Sequence, residues 1–315
     1  MMKLQIDTSN IRGDVFGGLT AGALSLPLAL AFGVQSGIGA LAGLYAAIAV
    51  GMAAAWFGGT PVMISGPTAP MTIVAAAIIA LSIQTNGSLS AAMGTIIAIF
   101  VLAGIIQIGL GLFKVGAYFR YIPYPVVTGF MSGIGLLLII LQIFPILGYP
   151  SPKNVLDIFI EAPGMLNQIN YTAMGLAIAT IAIIYLLPKT SHSIPGSFVA
   201  LIILTPVATI LGLDVSVIGN IPGGFSEPQM GNMTLNKSLD LSTIVLSALT
   251  LAIVGAIESL LTSAVADNKT KNRHDSNDEL IGQGIGNMLS ALIGGIPGAG
   301  ANMRTITNIK AGERS

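Results

Sequence analysis

One carboxylate of the sequence lies inside a long apolar stretch. The residues from Leu241 to Ile257 carry no charge, and Glu258 follows them directly. On a helix, Glu258 and Thr262 share a face and Ser259 is adjacent, so their oxygen atoms can together hold a proton or a cation such as Na+. Because an ionisable group in such surroundings is costly, it is by default a candidate for function. The alternative is a carboxylic acid kept neutral by burial, with a packing role only.

Two Gly/Pro motifs in distant parts of the chain have the same beginning. Residues 58–61 read Gly-Gly-Thr-Pro and residues 294–297 read Gly-Gly-Ile-Pro, and a short apolar segment follows each motif. A single motif of this kind would indicate a turn. Two of them at matching places favour an internal repeat with a pair of half-helices, which is the sequence pattern of a transporter binding site.

The starts of the two half-helices supply groups that bind anions. The unpaired N–H groups and the positive dipole end of a helix N-terminus attract a negative ligand. Arg304 adds a positive charge that would raise the local anion concentration. Two alternatives remain for Arg304, namely extension to the membrane interface and an ion pair with Glu258. The candidate substrate-binding residues are Thr68, Ala69, Met71, Ala301, Asn302, Met303 and Arg304.

The composition places these residues in a membrane. The chain is 53% hydrophobic and 8% charged, its formal net charge is +0, and no charged residue occurs from Val15 to Phe113. The apolar segments are too continuous for a transmembrane barrel, so helices are the remaining way to satisfy the backbone in lipid. We therefore expect an all-α polytopic membrane protein with the lipid bilayer as its surroundings and no nucleic-acid partner.

The chemistry of an enzyme is not predicted. The sequence has no cysteine, and we find no Walker loop, paired carboxylates, metal-ligand cluster or Ser-His-Asp arrangement in it. We expect no cofactor apart from a coupling Na+ or H+, with Glu258 and Thr262 as the place where Na+ would bind. The two histidines, His192 and His274, fall in predicted loops and receive no role.

Ten spans are predicted, of which the third and the tenth are short. Counting both as crossings places most Lys and Arg residues on the side of the amino terminus, which is the bias expected of cytoplasmic loops. Residues 1–13 are then a cytoplasmic segment and 14–315 a transmembrane transporter domain, in a membrane such as the bacterial inner membrane. The predicted spans are residues 14–34, 40–57, 70–84, 89–113, 122–148, 172–187, 195–213, 243–266, 279–294 and 301–310, with polar connections at 149–171, 214–242 and 267–278.

Several of these segments resemble one family. The run 287–312, with Gly-Gly-Ile-Pro-Gly-Ala-Gly and then Arg-Thr, is similar to the signature of the SulP inorganic anion transporters. The runs 64–70 and 258–263 are also similar to that family, and the similarity covers essentially the whole chain. The opening span, 13–33, looks like that of the cyanobacterial-type bicarbonate transporters.

The resemblance implies a fold of seven plus seven inverted spans, of which this chain would hold the first ten. Spans 1–4 and 8–10 would form a core and spans 5–7 a gate, working by an elevator-like motion, often in homodimers. The last four spans and a cytoplasmic STAS domain would be absent, as in a fragment. Thr68, Ala301, Asn302 and Arg304 would be on the substrate side. The coupling-ion side would consist of Glu258, Ser259, Thr262 and Gly300.

The predicted function is secondary active transport of a small inorganic anion, bicarbonate or sulfate, coupled to Na+ or H+. Sodium-coupled relatives have Asp where this chain has Glu258 and a hydroxyl residue where it has Asn302, so either coupling ion remains open. The alternatives are an uncoupled channel or exchanger of the same fold, and a truncated chain that transports nothing. A nucleobase permease of related fold would need aromatic and amide groups in its pocket, whereas the short helices offer mainly small residues.

Overall fold

The computed structural model describes residues 10–121, 124–149, 151–152, 155–165, 169–187, 196–217 and 240–312. Within these residues the chain forms two compact units. The first contains the described residues up to 121 and from 240 onward, and the second lies within 124–217. Five of the described helices are long and apolar enough to cross a membrane. The protein is therefore an integral membrane protein, and its helices follow from the apolar composition.

The first unit holds both Gly/Pro motifs. Each motif continues into a two-residue strand, β1 (Ser65–Gly66) or β2 (Ala299–Gly300), and then into a helix. A 3-10 helix, Val115–Tyr121, follows the fourth helix. The α-helices of this unit are α1 (Ile11–Ser36), α2 (Ala40–Phe57), α3 (Ala69–Asn86), α4 (Leu89–Leu112), α10 (Leu241–Thr270), α11 (Ser276–Leu292) and α12 (Asn302–Ala311).

The second unit is a separate group of shorter helices. Its longest members are α5 (Tyr124–Leu141) and α8 (Tyr171–Leu186), and α8 packs against α9 (Gly196–Ile210). Two short helices, α6 (Ile143–Leu147) and α7 (Val155–Met165), pack against each other. The division of the chain into a transporter core and a gate stays a prediction.

Most predicted spans match the helices, and three differences have physical reasons. The predicted span 122–148 is divided after Leu141, and Gly148 in the left-handed conformation ends its second part. The predicted connection 149–171 contains α7, whose acidic residues had indicated a loop. Helix α3 has 18 residues instead of the short 70–84 segment, because it continues until Gly87 ends it in the left-handed conformation.

Helix α11 lies at the centre of the first unit, where it packs mainly against α4 and α2. Glycines make this close approach possible. A Cβ atom at Gly104 of α4 would lie 2.6 Å from the Gly284 carbonyl oxygen, and one at Gly284 would lie 2.6 Å from the Gly104 carbonyl oxygen. Since no side chain separates the two backbones, α11 can extend deep between its neighbours.

The two Gly/Pro motifs meet through their strands. β1 and β2 pair in antiparallel orientation, with Ser65 opposite Gly300 and Gly66 opposite Ala299. A Cβ atom at Gly298 would clash with the carbonyl group of Gly66, so glycine is required where the motifs cross. Main-chain pairing therefore places the beginnings of α3 and α12 close together, although more than half of the chain separates them in sequence.

Candidate functional site

Glu258 lies against the beginning of α3. The side chain is buried on α10, and the Thr68 hydroxyl donates a hydrogen bond of 2.7 Å to its Oε2 atom. Thr68 is the N-cap residue of α3, where a hydroxyl ordinarily accepts a hydrogen bond from the first turn of its own helix. Here the Thr68 side chain makes no such cap. Its hydroxyl serves the carboxyl group of another helix instead.

The other residues of the predicted coupling site surround the strand β2. The Thr262 hydroxyl donates to the Gly300 carbonyl oxygen at 2.9 Å, and the Gly300 N–H donates to Ser259 Oγ at 3.0 Å. All three residues are buried, as is Glu258. Ser259 and Thr262 therefore contact Gly300 of β2, whereas Glu258 on the same helix contacts Thr68 at the beginning of α3.

The two helix starts keep first-turn N–H groups without a side-chain cap. The N-cap residues, Thr68 for α3 and Ala301 for α12, make no side-chain cap hydrogen bond. The first N–H groups of a helix have no partner within the helix. Ala69 and Met71 of α3, and Asn302 and Met303 of α12, fall in these first turns. This is the geometry in which a helix start attracts an anion.

One predicted donor does not serve this purpose. The Ala301 N–H donates to the Ile64 carbonyl oxygen at 2.8 Å, so the expectation that this group projects toward a ligand is wrong. It extends the main-chain pairing between the motifs by one residue. Met303 contributes only its backbone to the helix start, because its side chain is 76% exposed.

The Arg304 side chain extends from the first turn of α12 to the residue that precedes the N-cap of α3. Its side chain is buried, and Nη2 donates to the Pro67 carbonyl oxygen at 2.6 Å. Its Nη1 atom is buried too and has no hydrogen-bond partner among the described residues. Burial contradicts the alternative of extension to the membrane interface. Among the ion pairs of the described residues, none joins Arg304 to Glu258 within 4.0 Å.

Asn302 supplies a second polar group that the protein leaves without a partner. Its Oδ1 atom is buried and accepts no hydrogen bond within the described residues. Buried polar atoms of this kind are uncommon in proteins, and each one needs an explanation. At the start of α12, beside Arg304, an amide can turn its NH2 group toward a bound anion.

Helix α11 holds both motifs in place through polar residues that the sequence analysis had missed. Gln283 donates to Ser65 Oγ at 2.6 Å, and Glu279 accepts from the Gly59 N–H at 3.1 Å. Two turns later, Asn287 Oδ1 accepts from the Gly298 N–H at 2.7 Å, and Ser290 donates to the Ile296 carbonyl oxygen at 2.7 Å.

A signal for this role is present in the sequence. Glu279, Gln283 and Asn287 recur every four residues, which places them on one face of a helix. The buried Gln107 of α4 extends the network, because it accepts from Asn287 Nδ2 at 2.7 Å. Glu258 is the carboxylate inside a span, but it is not the one buried carboxylate of the described residues, since Glu279 in the first turn of α11 is 1% exposed.

The loop between α10 and α11 contains a chain of hydrogen bonds that was not predicted. His274 Nδ1 lies 2.7 Å from Asp267 Oδ2, and His274 Nε2 lies 2.8 Å from Ser276 Oγ. The sequence analysis found no Ser-His-Asp arrangement, whereas the structure brings Asp267, His274 and Ser276 together. His274 lies in the predicted loop, and its side chain is 12% exposed. His192 lies outside the described residues. The chain of hydrogen bonds fixes the loop that leads into α11.

The fold and the paired helix starts define a class of membrane protein. The chain belongs to the sulfate permease family, whose model matches residues 11–315. Its structure is similar to the solved transmembrane domain of the cyanobacterial bicarbonate transporter BicA, with a TM-score of 0.88 and 42% identity. That comparison covers 99% of this chain and 80% of the solved one.

Two bacterial relatives carry names of anion transporters. The chain is 44% identical over 317 residues to the bicarbonate transporter BicA of Picosynechococcus, covering 99% of this chain and 56% of the relative. It is 34% identical over 307 residues to the putative sulfate transporter YvdB of Bacillus subtilis, covering 95% of this chain and 56% of that protein. The chain thus spans little more than half the length of these relatives.

Proposed function

We propose that this chain forms the anion-binding part of a secondary transporter that carries a small inorganic anion across the membrane. Bicarbonate is the first candidate, because a bicarbonate transporter is the relative with 44% identity, and sulfate is the second, from the relative with 34% identity. Coupling to Na+ or H+ supplies the driving force. In this proposal the anion binds between the beginnings of α3 and α12.

One observation carries the proposal. The pairing of Ser65 with Gly300 brings two helix starts without a side-chain cap together. Arg304 extends between them, and its Nη1 atom has no hydrogen-bond partner within the described part of the chain. Two helix dipoles and one fixed positive charge then act on the same point. Small residues such as Ala69 let an anion approach the backbone donors. No planar aromatic group faces this point from the first turns of α3 and α12, which disfavours a nucleobase.

The coupling ion would bind where α10 packs against the paired strands β1 and β2. Glu258 Oε atoms, Thr262 Oγ1 and the Gly300 carbonyl oxygen are the oxygen ligands that suit Na+, and Glu258 alone suffices for a proton. Because Thr68 contacts Glu258 and also begins α3, a change at the coupling ion reaches the anion site through one hydroxyl group.

The remaining parts of the proposal concern the whole protein. The first unit, which contains the complete candidate site, would be the core that moves, and the second unit would belong to the gate. The amino terminus would be cytoplasmic, in the inner membrane of a bacterium, and the protein would act as a homodimer. The chain covers 56% of the length of these two relatives, so transport as a whole is part of this proposal.

The test is uptake of labelled bicarbonate and sulfate into proteoliposomes that contain this protein. Sodium and proton gradients are imposed separately, with gradient-free vesicles as the control. We expect one anion to accumulate against its gradient with one of the two cations. Equal fluxes with and without a gradient would support an uncoupled conductor instead. No flux of either anion would refute transport.

A further inference from the structure

A second buried carboxyl group lies outside the proposed coupling site. Glu279, in the first turns of α11, is 1% exposed. Its Oε2 atom accepts from the Gly59 N–H at 3.1 Å, and Oε1 accepts from Gln283 Nε2 at 2.9 Å. Among the described residues, no Lys, Arg or His nitrogen lies within 4.0 Å of it, so its charge has no ion-pair partner.

The amide nitrogen of Gln283 donates two hydrogen bonds, whereas its amide oxygen accepts none from the described residues. The residue is fully buried, and its Nε2 atom donates both to Glu279 Oε1 and to Ser65 Oγ, the latter at 2.6 Å. Its Oε1 atom is buried without a partner in the described part of the chain. A buried acceptor without a donor is unfavourable, because it has lost its hydrogen bonds to water without replacing them. The amide therefore satisfies a negatively charged Glu279 at the expense of its own carbonyl oxygen.

A proton on Glu279 would reverse this pattern. A carboxylic acid has an O–H group that needs an acceptor, and Gln283 carries the unused one. A half-turn of the amide about its last torsion exchanges its oxygen and nitrogen in nearly the same volume, and this torsion is broad and two-fold. The Glu279 O–H and the Ser65 O–H could then both donate to the Gln283 carbonyl oxygen. The same three side chains thus have two complementary hydrogen-bond arrangements.

We propose that Glu279 is a second proton-binding group of this protein and that Gln283 transmits its protonation state to Ser65. Ser65 pairs with Gly300, and Gly300 contacts Ser259 and Thr262. A proton on Glu279 therefore alters the hydrogen bonds at the pairing of Ser65 with Gly300, although Glu279 does not contact the anion itself. This inference rests on the proposed function, because it adds a regulatory proton to the same site.

No ion pair within the described residues opposes protonation of the Glu279 carboxyl group. Helices α2 and α4, which pack most closely against α11, contain no Asp, Glu, Lys, Arg or His. His274, in the loop before α11, is bound to Asp267. The other charged residues on the elements that pack against α11, or next to them, are Glu258 and Lys269 on α10, Asp240, Lys271 and Arg273 beside α10, Lys114 and Arg120 at the 3-10 helix, and Asp275 and Asp278 at the start of α11.

The direct test is infrared difference spectroscopy of the purified protein that contains this chain, titrated with acid and compared with its Glu279→Gln and Glu258→Gln variants. We expect the carboxyl band of a buried acid to disappear in Glu279→Gln and to remain in Glu258→Gln. A titration that is identical in wild type and Glu279→Gln would overturn the proposal. If Glu279→Gln does not fold, Glu279→Asp keeps the acid, and its band must then shift in position.

Anion uptake tests the transmission step. Gln283→Met has a similar side-chain volume but no amide, and we expect the Glu279 infrared band to persist in it. The ratio of the uptake rates at the two ends of the Glu279 titration should be at least threefold smaller than in wild type. Unchanged pH dependence would show that Gln283 transmits nothing. Absence of anion uptake by the wild-type protein would refute the proposed function, whereas the infrared titration would still decide whether Glu279 binds a proton.

Discussion

The Thr68 hydroxyl donates its hydrogen bond to Glu258 across 2.7 Å and thereby joins the beginning of α3 to the middle of α10. The residue before it, Pro67, accepts from Arg304. Two neighbouring positions of one motif thus contact the acidic group and the basic group of the candidate site. In the proposed mechanism the anion side and the coupling side would share this short piece of backbone, and the first prediction concerns the Thr68 hydroxyl group.

Replacement of Thr68 by Val should reduce gradient-driven uptake about tenfold, because a hydrogen bond to a charged group contributes about 1.5 to 3 kcal/mol and about 1.4 kcal/mol is a factor of ten. Val keeps the shape of Thr but cannot donate to Glu258. The Thr68→Ser variant retains the hydroxyl and should keep most of the activity. Initial rates of labelled bicarbonate uptake measure both, and equal rates in the two variants would contradict the role of the hydroxyl.

Glu258→Gln should abolish the response of uptake to the coupling gradient while the folded yield stays near that of wild type. Gln has nearly the same volume and still bonds to Thr68, but it cannot carry the charge that a cation or proton neutralises. The comparison is between uptake with and without a gradient, normalised to the monodisperse fraction in size-exclusion chromatography. A parallel loss of yield and uptake would mean that Glu258 only supports packing.

Removal of the charge at Arg304 should weaken anion binding. We expect Arg304→Gln to raise the KM for the anion about tenfold or more and Arg304→Lys to raise it less, because Lys keeps the charge but loses the planar fork of donors. The matched control is Lys310→Gln, which removes one positive charge from the exposed end of the same helix. If both Gln variants show the same KM, the charge acts only through the general field of the protein.

The close contact of α4 and α11 predicts a difference between two glycines of one helix. Gly104→Ala places a methyl group 2.6 Å from the Gly284 carbonyl oxygen, and overpacking of this kind costs about 1 to 3 kcal/mol. Gly109→Ala, one turn further along α4, meets nothing within 4 Å. We expect a lower midpoint of thermal unfolding in detergent for the first variant only. A similar midpoint for both would show that the helices can separate at little cost.

The helices were largely predictable because a long run of apolar, uncharged residues indicates a membrane-spanning helix. Helix α2 has the predicted bounds 40–57, and α4 ends one residue before the predicted 113, since long uncharged runs leave the backbone no other structure. The helix α7 was missed because its acidic residues and Pro163 had the appearance of a connection. Glu161 and Asp157 are compatible with a short helix that needs no membrane crossing.

The candidate site was predictable only in part. The two motifs and Glu258 were visible as local anomalies, namely Gly/Pro interruptions and a charge among apolar residues. The main-chain pairing of Ser65 with Gly300 was not visible, because two-residue strands have no periodicity to detect. Glu279 was overlooked because it is the first residue of the predicted span 279–294 and follows the polar run 267–278, where a carboxylate needs no explanation. Its burial comes from the packing of α11 against α2 and α4.

The candidate anion site is built mainly from main-chain N–H groups at two helix starts, and this has a consequence for its evolution. A point mutation can delete a side chain, but it leaves a backbone donor in place unless it introduces proline. The attraction for anions would therefore be inherited with the fold, while preference among anions could drift through a few side chains such as Asn302. Relatives named for bicarbonate and for sulfate would then share the same backbone donors at the two helix starts and differ in a few side chains around them.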